Sequence, residues 1–302
     1  MSLPMIENPI GQYFCVNGVK KSFSEDTAKD YFLPTDKMIY YESIRVKDGV
    51  MLFFEDHMLR LHRSIEAAEN FLFDSGRVYE DARILLDDEA SPVSDGNLRA
   101  VVTCSDVVLH LSDMAFPEEK AYENGVPTVS LQWERESPHV KVFRGDYKAA
   151  IAKAKNKETS WGLPYEVLLL NQDGKITEGG RSNFFVLLEE TVYSPPEDLI
   201  LIGITRKYVY RAIKEAGFTV EEKLFSLDEL IALQEEGKEP VLFLTSSPFD
   251  ILPIQNVDEK SFPFSNKKPL EKLIKIYQNI ISSYIAFHGV DSASADDLFQ
   301  LL

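Results

Sequence analysis

Hydrophobic period changes repeatedly along this chain, and the order of the changes decides its fold class. From Gln12 to Gly49 the pattern is strand-like: QYFCVNGVKKSF turns at Asn17-Gly18, MIYYESIRV is short, apolar and aromatic, and VMLFF after Asp48-Gly49 reads as a return strand. EDHMLRLHRSIE then shifts to helical spacing, with Met58, Leu61 and Ile65 on one stripe, which predicts a helix from about Glu55. A second helix is expected from Arg77 to Leu86, and LRAVVTC and VVLHLS are further strands. FPEEKAYENGVP has charge, proline and glycine without a period, and marks a connection. Beyond it lie strand TVSLQWER, helix DYKAAIAKAKNKE, a hairpin EVLLL and KIT around Asn171 to Gly174, strand SNFFVLL, helices ITRKYVYRAIKEAG and SLDELIAL, strand PVLFLTS and helix LEKLIKIYQNIISSYIAF. The mixture excludes all-helical and all-β folds. At 302 residues it predicts two α+β domains, 1–122 and 123–302.

Charge narrows the partners. Lys and Arg number 32 against 49 Asp and Glu, a formal charge of −17 that repels polyanions, so nucleic acid is not an expected partner. Cys15 and Cys104 form no CxxC pair, and the five histidines show no HExxH spacing, so no metal site is expected. No apolar run approaches the roughly 18 residues of a membrane span, and the first residues resemble no signal peptide. The expected location is the cytoplasm, with no membrane partner.

Three features suit a small anion. LILIGITRKYVYRAIKEAGF ends an apolar run at Gly203-Ile204-Thr205 and opens a helix, so Thr205 lies where free N–H groups and the dipole favour phosphate or carboxylate. An ordinary N-cap has the same pattern. Thr245-Ser246-Ser247 ends strand VLFL and offers hydroxyl donors, or simply a turn. Arg60 stands beside the buried stripe, where it either reaches water or pairs with a carboxylate such as Glu55. In KITEGGRSNFFVLL, Glu178 ends a strand and Gly179-Gly180 let the backbone turn closely around it, a setting suited to a carboxylate on a pyridinium nitrogen.

These pieces, in this order, resemble the fold-type IV pyridoxal-phosphate enzymes, the group of branched-chain aminotransferases, D-amino-acid aminotransferases and aminodeoxychorismate lyases. The matching text is YYESIRVKDGVMLFFEDHMLRLHRS, ITEGGRSNFFVL, YSPPEDLILIGITRKYV and FLTSSPFDILPI, from about Tyr40 to Ile254. The resemblance implies a smaller N-terminal α/β domain, a larger C-terminal mixed β-barrel-like domain with flanking helices, and a homodimer. It implies pyridoxal 5'-phosphate as cofactor, and an amino acid and a 2-oxo acid as substrates. Carried over residue by residue, it implies Arg60, Ile204, Thr205 and Ser247 at the cofactor phosphate, Glu178 at the ring nitrogen, Leu201 against the ring and Tyr41 in the substrate pocket. The lysine that joins the cofactor is Lys141 in SPHVKVFR or Lys148 in GDYK. Lys141 is preferred, because Lys148 falls inside the next helix and is expected to face water with Lys153 and Lys155. The Asn-Tyr pair common after this lysine is missing, which leaves the partner of the cofactor hydroxyl open.

The expected activity is transamination, with an L-amino acid of branched or hydrophobic side chain as the leading donor. TCSDVVLHLSD shows no arginine after Cys104 for the carboxylate trap of D-amino-acid enzymes. An aminodeoxychorismate lyase-type enzyme, in which the same lysine removes the α-proton while a leaving group departs, and a non-catalytic member of the fold, are the alternatives.

Overall fold

The computed structural model describes residues 3–67, 71–88, 93–113, 116–262 and 267–289. Its first strands are β1 (Pro9–Val16), β2 (Val19–Ser22), β3 (Tyr40–Lys47) and β4 (Val50–Met51), followed by α1 (Phe54–Glu66), α2 (Ser75–Leu86), β5 (Gly96–Val102) and β6 (Val107–Ser112). Then come α3 (Glu119–Asn124), β7 (Val126–Gln132), α4 (Gly145–Lys155), β8 (Glu166–Leu170), β9 (Lys175–Gly179), β10 (Asn183–Leu188) and β11 (Thr191–Ser194). The chain continues with α5 (Ile204–Glu215), β12 (Thr219–Glu222), β13 (Phe225–Ser226), α6 (Leu227–Glu235), β14 (Val241–Ser246), β15 (Asp250–Val257), β16 (Lys260–Ser261) and α7 (Lys268–His288). No helix among the described residues is long and apolar enough to cross a membrane.

The chain divides into two compact units. Unit 1 takes residues 1–115, 140–145 and 281–302; unit 2 takes 116–139 and 146–280. The chain therefore leaves unit 1 near residue 115, returns to it for a short segment at 140–145, and returns again from residue 281.

Unit 1 is built on a six-stranded sheet in the order β2-β1-β6-β5-β3-β4. Strict alternation along β3 buries Tyr40, Glu42, Ile44 and Val46 on one face. That face meets Met58, Leu61 and Ile65 of α1 and Val78, Ala82 and Leu85 of α2 in one core. The return strand expected from VMLFF is only two residues long, because Phe53 takes a left-handed φ of 56° and the helix starts at Phe54. Asp74 caps α2 by accepting from the N–H groups of Gly76 and Arg77.

Unit 2 holds the other sheet, and β9 pairing with β10 closes β10-β14-β15-β7-β8-β9 into a six-stranded ring. The barrel-like domain implied by the resemblance is thus present. Its interior is filled by Val126, Leu168, Ile176, Phe184, Leu242, Leu244 and Leu252, each burial worth roughly 1.5–3 kcal/mol. Outside, Phe185 stacks on Phe243 at 5.0 Å and meets Tyr210 of α5 edge-on. The pair that closes the ring is Asn183 opposite Glu178. Glu178 therefore sits at the seam of the barrel.

Candidate active site

In unit 1 the site begins with the start of β3. Residues 140–145 run beside it: Tyr41 N–H donates to the Lys141 carbonyl at 3.4 Å and Phe143 N–H to Ile39 at 2.8 Å. Lys141 N–H donates to Ser64 Oγ on α1 at 3.2 Å. The segment is thereby pinned to both strand and helix, and Lys141 Nζ lies 5.1 Å from the Tyr41 ring centroid. On the same ring stands Arg99 of β5, its Cζ 4.7 Å from the centroid and 5.6 Å from that of Phe143. An amine and a guanidinium thus meet one aromatic ring.

The opposite sheet face carries Glu42, fully buried. Arg60 Nε donates to Oε1 at 2.7 Å and Nη2 to Oε2 at 2.6 Å. His57 Nδ1 also meets Oε2 at 2.7 Å. Burial works to raise the Glu42 pKa, but Arg60, Lys141 and His57 together hold it well below the usual carboxylate range. His57 is held below its ordinary value by burial despite that carboxylate, so the neutral ring donates its Nδ1 proton. Arg60 accordingly pairs with Glu42 rather than with Glu55, which instead accepts from the Tyr284 hydroxyl at 2.8 Å. Glu42 is 18 residues before Arg60, on a strand, so helical spacing gives no sign of the pair.

Unit 2 contributes a second set. Glu178 is buried; Arg135 Nε lies 2.7 Å from its Oε1, and Leu201 N–H donates to its Oε2 at 3.2 Å. Leu201's carbonyl accepts from Asn183 Nδ2 at 2.8 Å. One carboxylate and its seam partner thus fix the strip before α5. Arg135 Nη2 also donates to the Tyr147 hydroxyl at 3.2 Å, and that hydroxyl donates to the Gly180 carbonyl at 2.5 Å.

Helix α5 opens at Gly203 without a side-chain cap, leaving the first-turn N–H groups of Ile204 and Thr205 for a ligand. A Cβ at residue 203 would collide with Asn183 Oδ1. The hydroxyls of Thr205, Thr245 and Ser247 make no hydrogen bond among the described residues. Thr245 is 1% exposed and lies opposite Asn183 in the β10–β14 register. Uncapped N–H groups and buried hydroxyls with nothing to bond fit a phosphate. The residues present thus fit the cofactor implied by the resemblance.

Unit 1 brings together Tyr41, Arg60 and Lys141 around the start of β3; unit 2 brings Glu178 against Leu201, followed by Ile204 and Thr205. Ser247 stands in the turn after β14, half-buried. Lys148 and Lys153 are exposed on α4, but Lys155 is half-buried. Sequence reading missed Arg99, Glu42, His57, Arg135 and Tyr147. A tyrosine six residues after Lys141 was the available signal for the last.

A family model described as amino-transferase class IV matches residues 40–257. The chain is 29% identical over 265 residues to the D-alanine aminotransferase of Bacillus licheniformis, covering 82% of this chain and 88% of that protein. It is 22% identical over 267 residues to the aminodeoxychorismate lyase of Bacillus subtilis strain 168, covering 82% and 87%. In fold it is similar to a hypothetical aminotransferase from Mycobacterium tuberculosis in its PLP-bound form, with a TM-score of 0.73 at 16% identity over 90% of this chain and 99% of the other.

Proposed function

The chain belongs to the amino-transferase class IV family, and we propose that it uses pyridoxal 5'-phosphate to move an amino group between an L-amino acid with a branched or other hydrophobic side chain and a 2-oxo acid. The observation that carries this reading is the Tyr41 ring with Lys141 and Arg99 on it. A reacting amine beside a fixed guanidinium is what a substrate presenting a carboxylate next to its reactive carbon requires. Phe143, at 4.7 Å from Tyr41, supplies apolar cover for a hydrophobic side chain.

Lys141 is the catalytic residue in this reading. It would join the cofactor and, as general base and then acid, would take the proton from the substrate α-carbon and pass it to the cofactor side, the net shift that transamination requires. The bound cofactor supplies a conjugated ring that accepts electrons from that carbon. Arg60, the N–H groups of Ile204 and Thr205, and Ser247 hold the phosphate. Glu178 keeps the ring nitrogen protonated, Leu201 packs on the ring, and Tyr147 is the phenol for the cofactor hydroxyl. Arg135 and the Leu201 N–H hold the Glu178 carboxylate in place. Arg99 receives a substrate carboxylate: burial pulls its guanidinium below the ordinary range while Tyr41, Glu7 and Glu42 act the other way, and an arginine stays charged throughout. The protein acts as a homodimer in this reading.

A second reading, a lyase, is favoured by the similarity to aminodeoxychorismate lyase, since the same lysine and Glu178 serve an elimination. Incubation with L- and D-amino acids and 2-oxoglutarate, reading glutamate, tests the proposal against aminodeoxychorismate, reading pyruvate. Glutamate from branched L-amino acids is expected. Pyruvate from aminodeoxychorismate with no glutamate from any donor would overturn it.

A further inference from the structure

A second tyrosine in the chain repeats the surroundings of Tyr41. Glu166 follows Tyr165 as Glu42 follows Tyr41, and both glutamates are fully buried. Lys155 Nζ lies 5.5 Å from the Tyr165 centroid and Arg181 Cζ 5.6 Å, against 5.1 and 4.7 Å for Lys141 and Arg99 on Tyr41. All four residues of the second set are in unit 2, at the end of α4, the approach to β8 and the turn between β9 and β10.

The balance of charge at this set leaves the amine without a partner. Glu166 Oε1 accepts from the Val167 N–H at 2.9 Å; Oε2 accepts from Ser182 Oγ at 3.3 Å and faces Arg181 Nε at 3.4 Å. Lys155 forms no hydrogen bond or ion pair among the described residues. Two cations share one carboxylate, and that carboxylate is taken. Burial and then Arg181 hold the Lys155 amine below its ordinary range, against the pull of Glu166 and of the negative end of α4. Burial keeps the neighbouring Tyr165 phenol protonated, so it adds no charge. A lysine beside a second cation keeps more of its neutral, nucleophilic form. Arg181, with half its side chain exposed, is open to a dissolved anion.

We infer that Lys155, Arg181 and Tyr165 form a second carbonyl-reactive site that takes small oxo acids and acidic aldehydes, with Arg181 receiving the carboxylate and Lys155 adding to the carbonyl carbon. The nitrogen lone pair forms the C–N bond, and the carbonyl oxygen takes up protons and leaves as water, giving a C=N bond. One amine and one carbonyl yield one imine and one water, with no oxidant or reductant. Water reverses the step, so the site stores an oxo acid rather than consuming it. This site does not depend on the assignment of Lys141.

Reductive trapping of the holoprotein tests the inference. With glyoxylate and cyanoborohydride at neutral pH, peptide mapping is expected to show Lys155 modified at least tenfold faster than exposed Lys153, two residues away. Arg181→Gln is expected to slow the glyoxylate reaction at Lys155 about fivefold or more and that of neutral formaldehyde by less, while Arg181→Lys retains most of the preference. Equal rates at Lys155 and Lys153, or a glyoxylate rate unchanged in a folded Arg181→Gln protein, would overturn it.

Discussion

Arg135 Nε lies 2.7 Å from Glu178 Oε1, with both side chains mostly removed from water. Removing one member of such a pair strands the other charge, at a cost of roughly 3–5 kcal/mol. Arg135→Met is therefore expected to lower unfolding free energy by about that amount in denaturant titration of the cofactor-free protein. Adding Glu178→Gln should recover a large part of it. A loss below about 1 kcal/mol in the single variant would contradict the pairing.

Arg206 is the largest fully buried side chain among the described residues, and it braces the strip that meets Glu178. Its Nη1 donates to Glu197 at 2.7 Å, and its Nη2 donates to the Tyr210 hydroxyl at 2.6 Å and to Ser194 Oγ at 3.3 Å. Glu197 is half exposed, so the loss in Arg206→Ala comes from the vacated space and orphaned hydroxyls, about 2–4 kcal/mol. The cofactor is expected to bind more weakly as well, because residues 195–203 carry the Leu201 N–H. Unchanged cofactor affinity in a folded variant would separate the brace from the site.

Arg99 is expected to set the KM for substrates that carry a carboxylate. Arg99→Met should raise KM for the oxo acid about 10- to 100-fold, which is 1.4–2.8 kcal/mol of one charge-assisted contact. The visible spectrum of the resting enzyme should stay unchanged, since Lys141 is untouched. Steady-state kinetics with KM and kcat resolved reads the difference; a fall in kcat alone would refute this role.

Acid should unfold the protein from pH 6.5 downwards. Burial, against the Leu111 carbonyl contact and with help from Arg99, holds His110 at about 4, below its unfolded value of roughly 6.5. The unfolded state therefore takes up the proton first. The stability is present above pH 6.5 and falls as pH drops towards 4, by about 3 kcal/mol. His57 acts in the same direction, and Glu42 loses its contribution as pH falls below about 4.5 through its lowered pKa. The difference in unfolding free energy between pH 7 and 4.5 should narrow in His110→Gln, with the His57 part remaining; an unaltered difference would contradict the assignment.

Local signals were legible and long-range pairings were not. GIT before an amphipathic run, and TEGG after a strand, placed Ile204, Thr205 and Glu178 because caps and glycine turns act within a few residues. Arg135 lies in a stretch without regular structure, 43 residues before its partner Glu178, and the sheet order β7-β8-β9, not any local spacing, brings the two within one neighbourhood. Arg60 showed that it needed a carboxylate, but choosing Glu42 over Glu55 required the strand and helix to be packed. Arg99 sits in a run that reads as plain strand, and its place opposite Ser43, two positions from the Tyr41 pair and so on the same face, is a matter of register. Lys155 looked like a solvated helix lysine because its neighbours Tyr165 and Arg181 come from later segments, just before β8 and in the β9–β10 turn.

The most direct test of the account is borohydride reduction of the protein loaded with pyridoxal 5'-phosphate, followed by the visible spectrum and identification of the modified peptide. Stoichiometric label on Lys141 is predicted, with the visible band lost in Lys141→Ala and kept in Lys148→Ala. Stoichiometric label on Lys148, or no bound cofactor and no thermal stabilisation when it is supplied, would contradict the account.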